Sequence, residues 1–371
     1  MPSHLLRKEN KVKVLEYVFD HSRVTRDQLV SKVGVAHSTL SYIVRELAEE
    51  GFLIIEEIKT KRGRPYQMLR INPKRFSLIG VKVGREEVRG TLFDASLNPL
   101  RKYARRIFST MRNKDGYTAA LKEVVQHLIA DDVLGVGVCS SGIVEESEVV
   151  VSHLMGVKNW DVREVLKEVN NLILMNDVDV LCYQISQGMN SDFLVVSYGT
   201  GIGASFWSNG KVHHVELGHT IVSSEGKCYC GQTGCLEYHS SEYAVLKSYL
   251  NTDIDFQDFV ENEEEKYRKI IESLRKTARE DFESVKRHYE KAFQSFSIVL
   301  GNVLMMLRPA KVFFVGEGLV NEDMVKLLEK YVRKRFISEF IGDVEFTMAD
   351  LDWMLGAARA VVKHYLFSIV E

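Results

Sequence analysis

The segment Glu216-Leu217-Gly218-His219-Thr220-Ile221-Val222-Ser223-Ser224-Glu225-Gly226-Lys227-Cys228-Tyr229-Cys230-Gly231-Gln232-Thr233-Gly234-Cys235-Leu236-Glu237 holds three of the chain's five cysteines. They are spaced Cys-x-Cys-Gly-x-x-Gly-Cys, with His219 just upstream. Three thiolates and one imidazole meet the four-coordinate demand of a structural zinc ion, and the glycines let the chain fold tightly around it. Three free thiols packed in a loop is the alternative. With His219, Cys228, Cys230 and Cys235 all bound, the ion would shape its surroundings and would not activate water. His219 and Glu237 bracket the loop, so a metal could hold both against one ligand.

Working outward, Asn176-Asp177, Glu216, His219 and Glu237 supply the carboxylates, amide and imidazole that bind sugar hydroxyls in paired hydrogen bonds. Singly, each such group has an ordinary structural role. Ser197-Tyr198-Gly199-Thr200-Gly201-Ile202-Gly203 follows an apolar strand. Its glycines allow close backbone approach, so that amides can face an anion such as phosphate. A Gly-rich hairpin turn explains the same residues. The uncharged run over 193–210 carries four glycines and several serines, which suits a buried strand and loop better than a membrane span.

On either side the chain alternates apolar strands with helices. Strands are expected over 78–83, 88–93, 133–138, 149–152, 172–175, 193–197, 203–208, 211–215 and 311–315, and helices over 116–129 and much of 261–307. Such alternation means α/β architecture.

The N-terminus differs. Val12, Leu15, Val18 and Phe19 recur at helical spacing; Thr25 with Gln28 forms a capping box before a short helix that Gly34 ends. Leu40, Ile43, Val44 and Leu47 then mark the inner stripe of a third helix, closed by Gly51. This order is that of a helix-turn-helix. The outward positions Ser38, Thr39, Ser41, Tyr42 and Arg45 suit base edges and phosphates in a major groove. Two strands, 52–58 and 66–71, flank the basic tip Lys59-Thr60-Lys61-Arg62-Gly63-Arg64-Pro65, a wing whose Arg62, Gly63 and Arg64 suit the minor groove. A three-helix packing module with a solvated loop is the plainer reading.

Charge follows the same division. The 371 residues carry −2 overall, but residues 1–75 hold 15 Lys/Arg against 9 Asp/Glu, a surplus of +6, and the rest carries −8. The total excludes a uniformly basic nucleic-acid coat and an acidic tail protein. At 45% hydrophobic residues the chain is not globally disordered. No apolar core of signal-peptide length follows Met1, and a soluble, cytoplasmic protein with no membrane partner is expected.

The body resembles the ROK family of repressors and sugar kinases, carried by Gly199-Thr200-Gly201-Ile202-Gly203, Glu216-x-Gly218-His219 and Cys228-x-Cys230-Gly231-x-x-Gly234-Cys235-x-Glu237. Asn176-Asp177, Asn159-Trp160 and Gly356-Ala357-Ala358 fit the same layout. The Gly-Arg-Pro wing looks like that of the repressor branch. The resemblance implies a winged helix-turn-helix domain over 1–72 and a two-lobed, actin-like (ribonuclease H-like) sugar-kinase fold over 73–371. Lobe one would span about 73–175 plus a C-terminal helix at 353–371, and lobe two about 176–352, with sugar in the cleft between them. It further implies that Asn176, Asp177, Glu216, His219 and Glu237 contact the sugar, and that His219, Cys228, Cys230 and Cys235 hold zinc.

In the family's kinases the aspartate matching Asp177 is the general base. Their Asp-x-Gly-Gly-Thr turn, however, is here altered at Lys82, Arg85 and Glu86, and Glu317 is inserted in a later glycine turn, Val315-Gly316-Glu317-Gly318. Of the phosphate loops only Gly199, Thr200, Gly201 and Gly203 remain. The expected function is therefore a sugar-responsive repressor. It would work as a homodimer or higher homo-oligomer on operator DNA, with a monosaccharide or sugar phosphate as effector. An ATP-dependent hexose or N-acetylhexosamine kinase is the alternative, and a binding module that uses its helical domain only for assembly is a third.

Overall fold

A computed structural model describes residues 3–59, 66–186, 189, 191–262 and 266–370. The chain divides into two compact units, Met1–Gly188 with Asp352–Glu371, and Met189–Leu351.

The first unit begins with α1 (Ser3–His21), β1 (Val24–Thr25), α2 (Arg26–Val33) and α3 (His37–Glu49). The capping box at Thr25 is formed on both sides: the Gln28 amide donates to Thr25 Oγ1 and Thr25 N donates to Gln28 Oε1 at 2.7 Å. Gly34 then ends α2 in the left-handed conformation. β2 (Leu53–Ile58) pairs antiparallel with β3 (Tyr66–Ile71), and β1 pairs with the other edge of β3, giving a winged helix-turn-helix.

The body of this unit contains β4 (Ser77–Val83), β5 (Glu87–Asp94), β6 (Pro99–Arg106), α4 (Lys114–Leu128) and β7 (Val133–Ser140). A small sheet of β8 (Ile143–Glu145), β9 (Glu148–Ser152) and β10 (Val157–Asp161) follows, then α5 (Val162–Val165), β11 (Leu172–Asn176) and α6 (Asp179–Ile185). The second unit runs β12 (Phe193–Tyr198), β13 (Ile202–Ser208), β14 (Lys211–Val215), α7 (Leu236–Ser240), α8 (Glu242–Leu250) and α9 (Phe256–Asn262). It closes with α10 (Arg268–Glu280), α11 (Phe282–Leu307), β15 (Lys311–Val315), α12 (Glu322–Arg335), α13 (Ser338–Ile341) and β16 (Glu345–Met348). The chain then returns to the first unit as α14 (Trp353–Ile369).

Each unit is built on a five-stranded sheet, and the two share one topology. In the first the order is β11-β7-β4-β5-β6, with β4, β5 and β6 antiparallel and β7 and β11 joined parallel. In the second it is β14-β13-β12-β15-β16, again three antiparallel strands followed by two parallel ones. This duplicated mixed sheet is the actin-like core.

Helix α4 covers one face of the first sheet, burying Tyr117, Leu121, Val124 and Leu128 against Ile79, Val81, Val136 and Val138. Helix α14 lies close on the other face. A Cβ added at Gly80 would stand 1.9 Å from the Met354 carbonyl oxygen, and one at Gly137 would stand 2.1 Å from that of Ala357. The far side of α14 meets the winged domain. Leu15, Val18, Phe19, Leu40 and Leu47 belong to one apolar core with Leu78, Phe93, Ala358, Val361, Val362, Leu366 and Val370. Each leucine, valine or phenylalanine among them contributes about 1.5–3 kcal/mol when fully buried. The DNA-reading module is thus built into the first unit.

One boundary and one edge strand stand out against the sequence reading. The unit break falls near 188, not 175, because α6 packs on α14 and the Val180 carbonyl would lie 2.6 Å from a Cβ at Gly356. Strand β6 was not expected; seven of its eight residues are exposed and four of them, Arg101, Lys102, Arg105 and Arg106, are cationic, as an edge strand protected from pairing requires. No helix among the described residues is long and apolar enough to cross a membrane.

Candidate functional site

The cysteine segment folds as a tight, cross-bridged loop. Cys228 N donates to Gln232 O, Gly231 N to Cys228 O, Gly234 N to Gly226 O and Val222 N to Gly234 O, at 2.8–3.0 Å. Gly234 has φ +82°, and a Cβ there would stand 1.7 Å from the Ser223 carbonyl oxygen, so only glycine fits. The turn brings one ligand atom each from His219, Cys228, Cys230 and Cys235 within 4.8 Å of one another. Cys230 and Cys235 sulfurs are 3.7 Å apart, and Cys228 Sγ is 3.9 Å from His219 Nδ1. Tetrahedral zinc–thiolate geometry sets sulfur–sulfur edges at about 3.8 Å. The four residues therefore fit a metal ion. Burial pushes the Cys228 thiol up and that of Cys235 to about 11, so a divalent cation is what would keep these two sulfurs ionised together.

Beside the loop Glu237 is almost fully buried. Its Oε2 accepts from Ile202 N at 2.8 Å and its Oε1 from the Tyr229 hydroxyl. Burial pushes its carboxyl above the usual range, opposed by His219, the Ile202 amide and Tyr229. The His219 ring meets Tyr229 edge-on at 5.7 Å, and with Nδ1 turned to Cys228 its Nε2 remains for another partner. Glu216, half exposed, lies 3.0 Å from His214 Nε2. Within the second unit, Glu216, His219 and Glu237 thus gather around one metal-capable turn.

Asn176 and Asp177 belong to the first unit, at the end of β11. Asn176 Nδ2 donates to Gly142 O at 2.9 Å, and its Oδ1 accepts from Val178 N at 2.8 Å. The side chain therefore shapes the turn that presents Asp177, whose own amide bonds Ser140 O at 3.0 Å. Asp177 Oδ2 lies 4.0 Å from Lys82 Nζ, on β4. Arg85 and Glu86 occupy the β4–β5 turn, where their carbonyls accept from Tyr117 Oη and Ile107 N.

Gly199, Thr200, Gly201 and Gly203 form the turn and first residues of the β12–β13 hairpin. Carboxylates flank this turn: Cβ atoms built on Gly199 and Gly201 would lie 3.8 Å from Glu242 Oε2 and 3.5 Å from Glu237 Oε2. The Gly316–Gly318 turn packs alongside, with Gly318 N bonded to Tyr198 O at 3.0 Å. Arg275 straps both turns, bidentate to Glu242 at 2.7 and 2.6 Å and to Glu317 at 2.8 Å. Sequence reasoning missed Glu242 and Arg275, which come together only through the packing of α8 and α10.

On α3, Ser38, Thr39, Ser41, Tyr42 and Arg45 are all exposed, as the stripe of Leu40, Ile43, Val44 and Leu47 requires. Of the acidic residues at its end, Glu46 bonds Arg7 and Lys11 pairs with Glu50 and Glu46, both cations coming from α1, while Glu49 stays exposed beside Arg45. Arg7 and Arg45 both lie over the Tyr42 ring. Arg26, which the sequence reading passed over, reaches Ser41 Oγ at 3.2 Å. Arg62, Gly63 and Arg64 lie outside the described residues.

These features define a DNA-binding protein whose reading module is joined to an actin-like, sugar-kinase-type body. The ROK family profile matches residues 78–362, and a winged helix-turn-helix DNA-binding profile matches residues 7–54. The chain belongs to the ROK family. It is 25% identical to the xylose repressor of Bacillus subtilis over 396 aligned positions, covering 97% of each protein. It is 23% identical to the N-acetylglucosamine repressor of Escherichia coli O6:H1, over 98% of this chain and 94% of that one. Among solved structures, a ROK family transcriptional regulator described as a homologue of the E. coli MLC protein superposes with a TM-score of 0.74. The identity is 17%, over 98% of this chain and 97% of that one. A ROK family glucokinase from Streptomyces griseus superposes with a TM-score of 0.60 and 17% identity, over 77% of this chain and 98% of that one. Both structures share the fold.

Proposed function

We propose that this protein is a sugar-responsive transcriptional repressor of carbohydrate-utilisation genes. The observation that carries the reading is the union, in one chain, of a winged helix-turn-helix with a ROK body, along a length that matches named sugar repressors end to end. In this reading Ser38, Thr39, Ser41, Tyr42 and Arg45 meet the major groove, and Arg62, Gly63 and Arg64 the minor groove. Phosphate contacts by the arginines make the affinity salt-dependent. Two copies on a palindromic operator suit a homodimer, working in the cytoplasm where the DNA is.

The effector is a monosaccharide or its phosphate, with hydroxyls taken by Asn176, Asp177, Glu216, His219 and Glu237. Zinc suits the three-thiolate, one-imidazole set better than harder cations do, and it would fix His219 and, through Tyr229, Glu237. Sugar binding coupled to DNA binding by about 1–3 kcal/mol would change operator affinity roughly 5–150-fold.

The retained Asp177 supports a second reading, phosphoryl transfer to a sugar hydroxyl. Against it stand Lys82 beside that carboxylate and the Glu242 and Glu317 carboxylates at the glycine turns, which disfavour a nucleotide triphosphate. Gel-shift titration of the chain on DNA from upstream of its own gene, with and without a monosaccharide panel, tests the first reading. Retention that one sugar alters at least fivefold is expected. A coupled kinase assay in which robust turnover disappears with Asp177→Ala would overturn it.

A further inference from the structure

Lys82 stands between two parts of the first unit. On one side its ammonium is 4.0 Å from Asp177 Oδ2; on the other it lies 3.4 Å from the centre of the Trp353 ring. Arg89 approaches the same ring at 6.0 Å and pairs with Glu87 at 3.2 Å. Trp353 is the first residue of α14. That helix is held to the sheet at Gly80 and Gly137 with no space for a methyl group, so its first turn and its later turns move as one body.

The later turns carry the DNA module. Ala358, Val361, Val362, Leu366 and Val370 share a core with Leu15, Val18 and Phe19 of α1. Lys363 Nζ lies 4.0 Å from Asp20 Oδ2, and Arg359 lies over the Phe19 ring at 6.0 Å. A second route leads from Asp177 to the same helix, since α6 begins two residues on and its Val180 carbonyl abuts Gly356. The Asp177 carboxylate and the DNA-reading helices are therefore attached to opposite ends of one rigid element.

We propose that Lys82 is the positioning residue that couples Asp177 to the DNA module. A ligand hydroxyl that donates to Asp177 Oδ2 competes with the ammonium for that oxygen. The hold of Lys82 on Trp353 changes with it, and α14 carries the change to α1. The effector role of Asp177 is taken from the proposed sugar-responsive function; the linkage from Lys82 through Trp353 to α1 stands on the geometry alone.

Hydrogen–deuterium exchange on the full chain, without DNA or sugar, tests that linkage. In Lys82→Met, amides of residues 352–359 and of residues 12–21 should exchange about threefold faster or more, while those of β12 and β13 keep their wild-type rates. Lys82→Arg, which keeps a cation over the ring, should restore slow exchange in both segments. Asp177→Asn removes the charge opposite Lys82 and should quicken the same two segments to a smaller extent; it also serves should Lys82→Met not fold. Wild-type exchange at residues 12–21 in the folded variants would overturn the proposal, as would acceleration in Lys82→Arg equal to that in Lys82→Met. A failure of the repressor reading would appear elsewhere, as wild-type protein that retains no upstream DNA and answers to no sugar.

Discussion

The N-terminal module and the Glu216–Glu237 loop are both attached to a five-stranded sheet, yet different forces hold them. The module is fixed by apolar area: α1 and α14 bury a continuous set of aliphatic side chains between them. The loop has few such residues and is fixed by cross-bridging backbone bonds and by four donor atoms placed for one cation. Apolar burial is distributed, so no single side chain decides the outcome. Coordination is concentrated, so the loss of one ligand is felt by all four.

The sharpest test of the contrast is Cys235→Ser. Bound metal should fall from about one equivalent per chain to near zero by elemental analysis, and thermal stability of the second unit should fall with it. A full equivalent retained in the variant would remove the concentrated half of the comparison. Next in size is Leu366→Ala, which should cost about 2–5 kcal/mol. Calorimetry should then show the winged module and the first sheet melting together at a lower temperature, whereas a module that melts alone would break the distributed half. Thr25→Ala removes one side of the capping box and should cost about 1 kcal/mol, visible as faster amide exchange confined to α2.

The smallest effect comes from Glu16, on the α14 side of α1. Burial pushes its carboxyl above the usual range, with Lys363 opposing. A carboxyl whose folded pKa is raised favours folding when protonated, and that contribution is lost as pH climbs past the raised value. Glu16→Gln should therefore raise the melting temperature by about a degree at pH 7 and leave it unchanged at pH 3, below the unfolded value. A larger gain at pH 3 would reverse the assignment.

Much of this contrast was legible in the residues, and the remainder was not for identifiable reasons. The donor set could be named because cysteine and histidine carry their chemistry wherever the chain puts them. The helices of the module followed from apolar spacing, and the capping box at Thr25 is present on both sides. The place of α14 in the first lobe came from the family resemblance, but its docking on α1 was hidden because that helix is apolar on more than one face, with Ala357, Val361, Val362 and Leu366 all buried, so periodicity names no single neighbour. Strand β6 was hidden because an exposed cationic edge lacks alternation. Lys82 showed itself as a missing aspartate; its position between Asp177 and Trp353 exists only once β4, β11 and α14 are assembled. Arg275 illustrates the same point in the second unit, since α10 lies far along the chain from both glycine turns that it straps.

The common core of α1 and α14 also bears on how such regulators are recombined. A helix-turn-helix is often treated as a cassette to be exchanged at the end of its last strand, here Ile71. Cutting this chain there would strip the cover from Ala358, Val361, Val362, Leu366 and Val370, nearly three hundred residues downstream. A chimera that borrows another DNA specificity must therefore bring the matching face of the C-terminal helix with it, so the two ends of the gene have to be inherited as a pair.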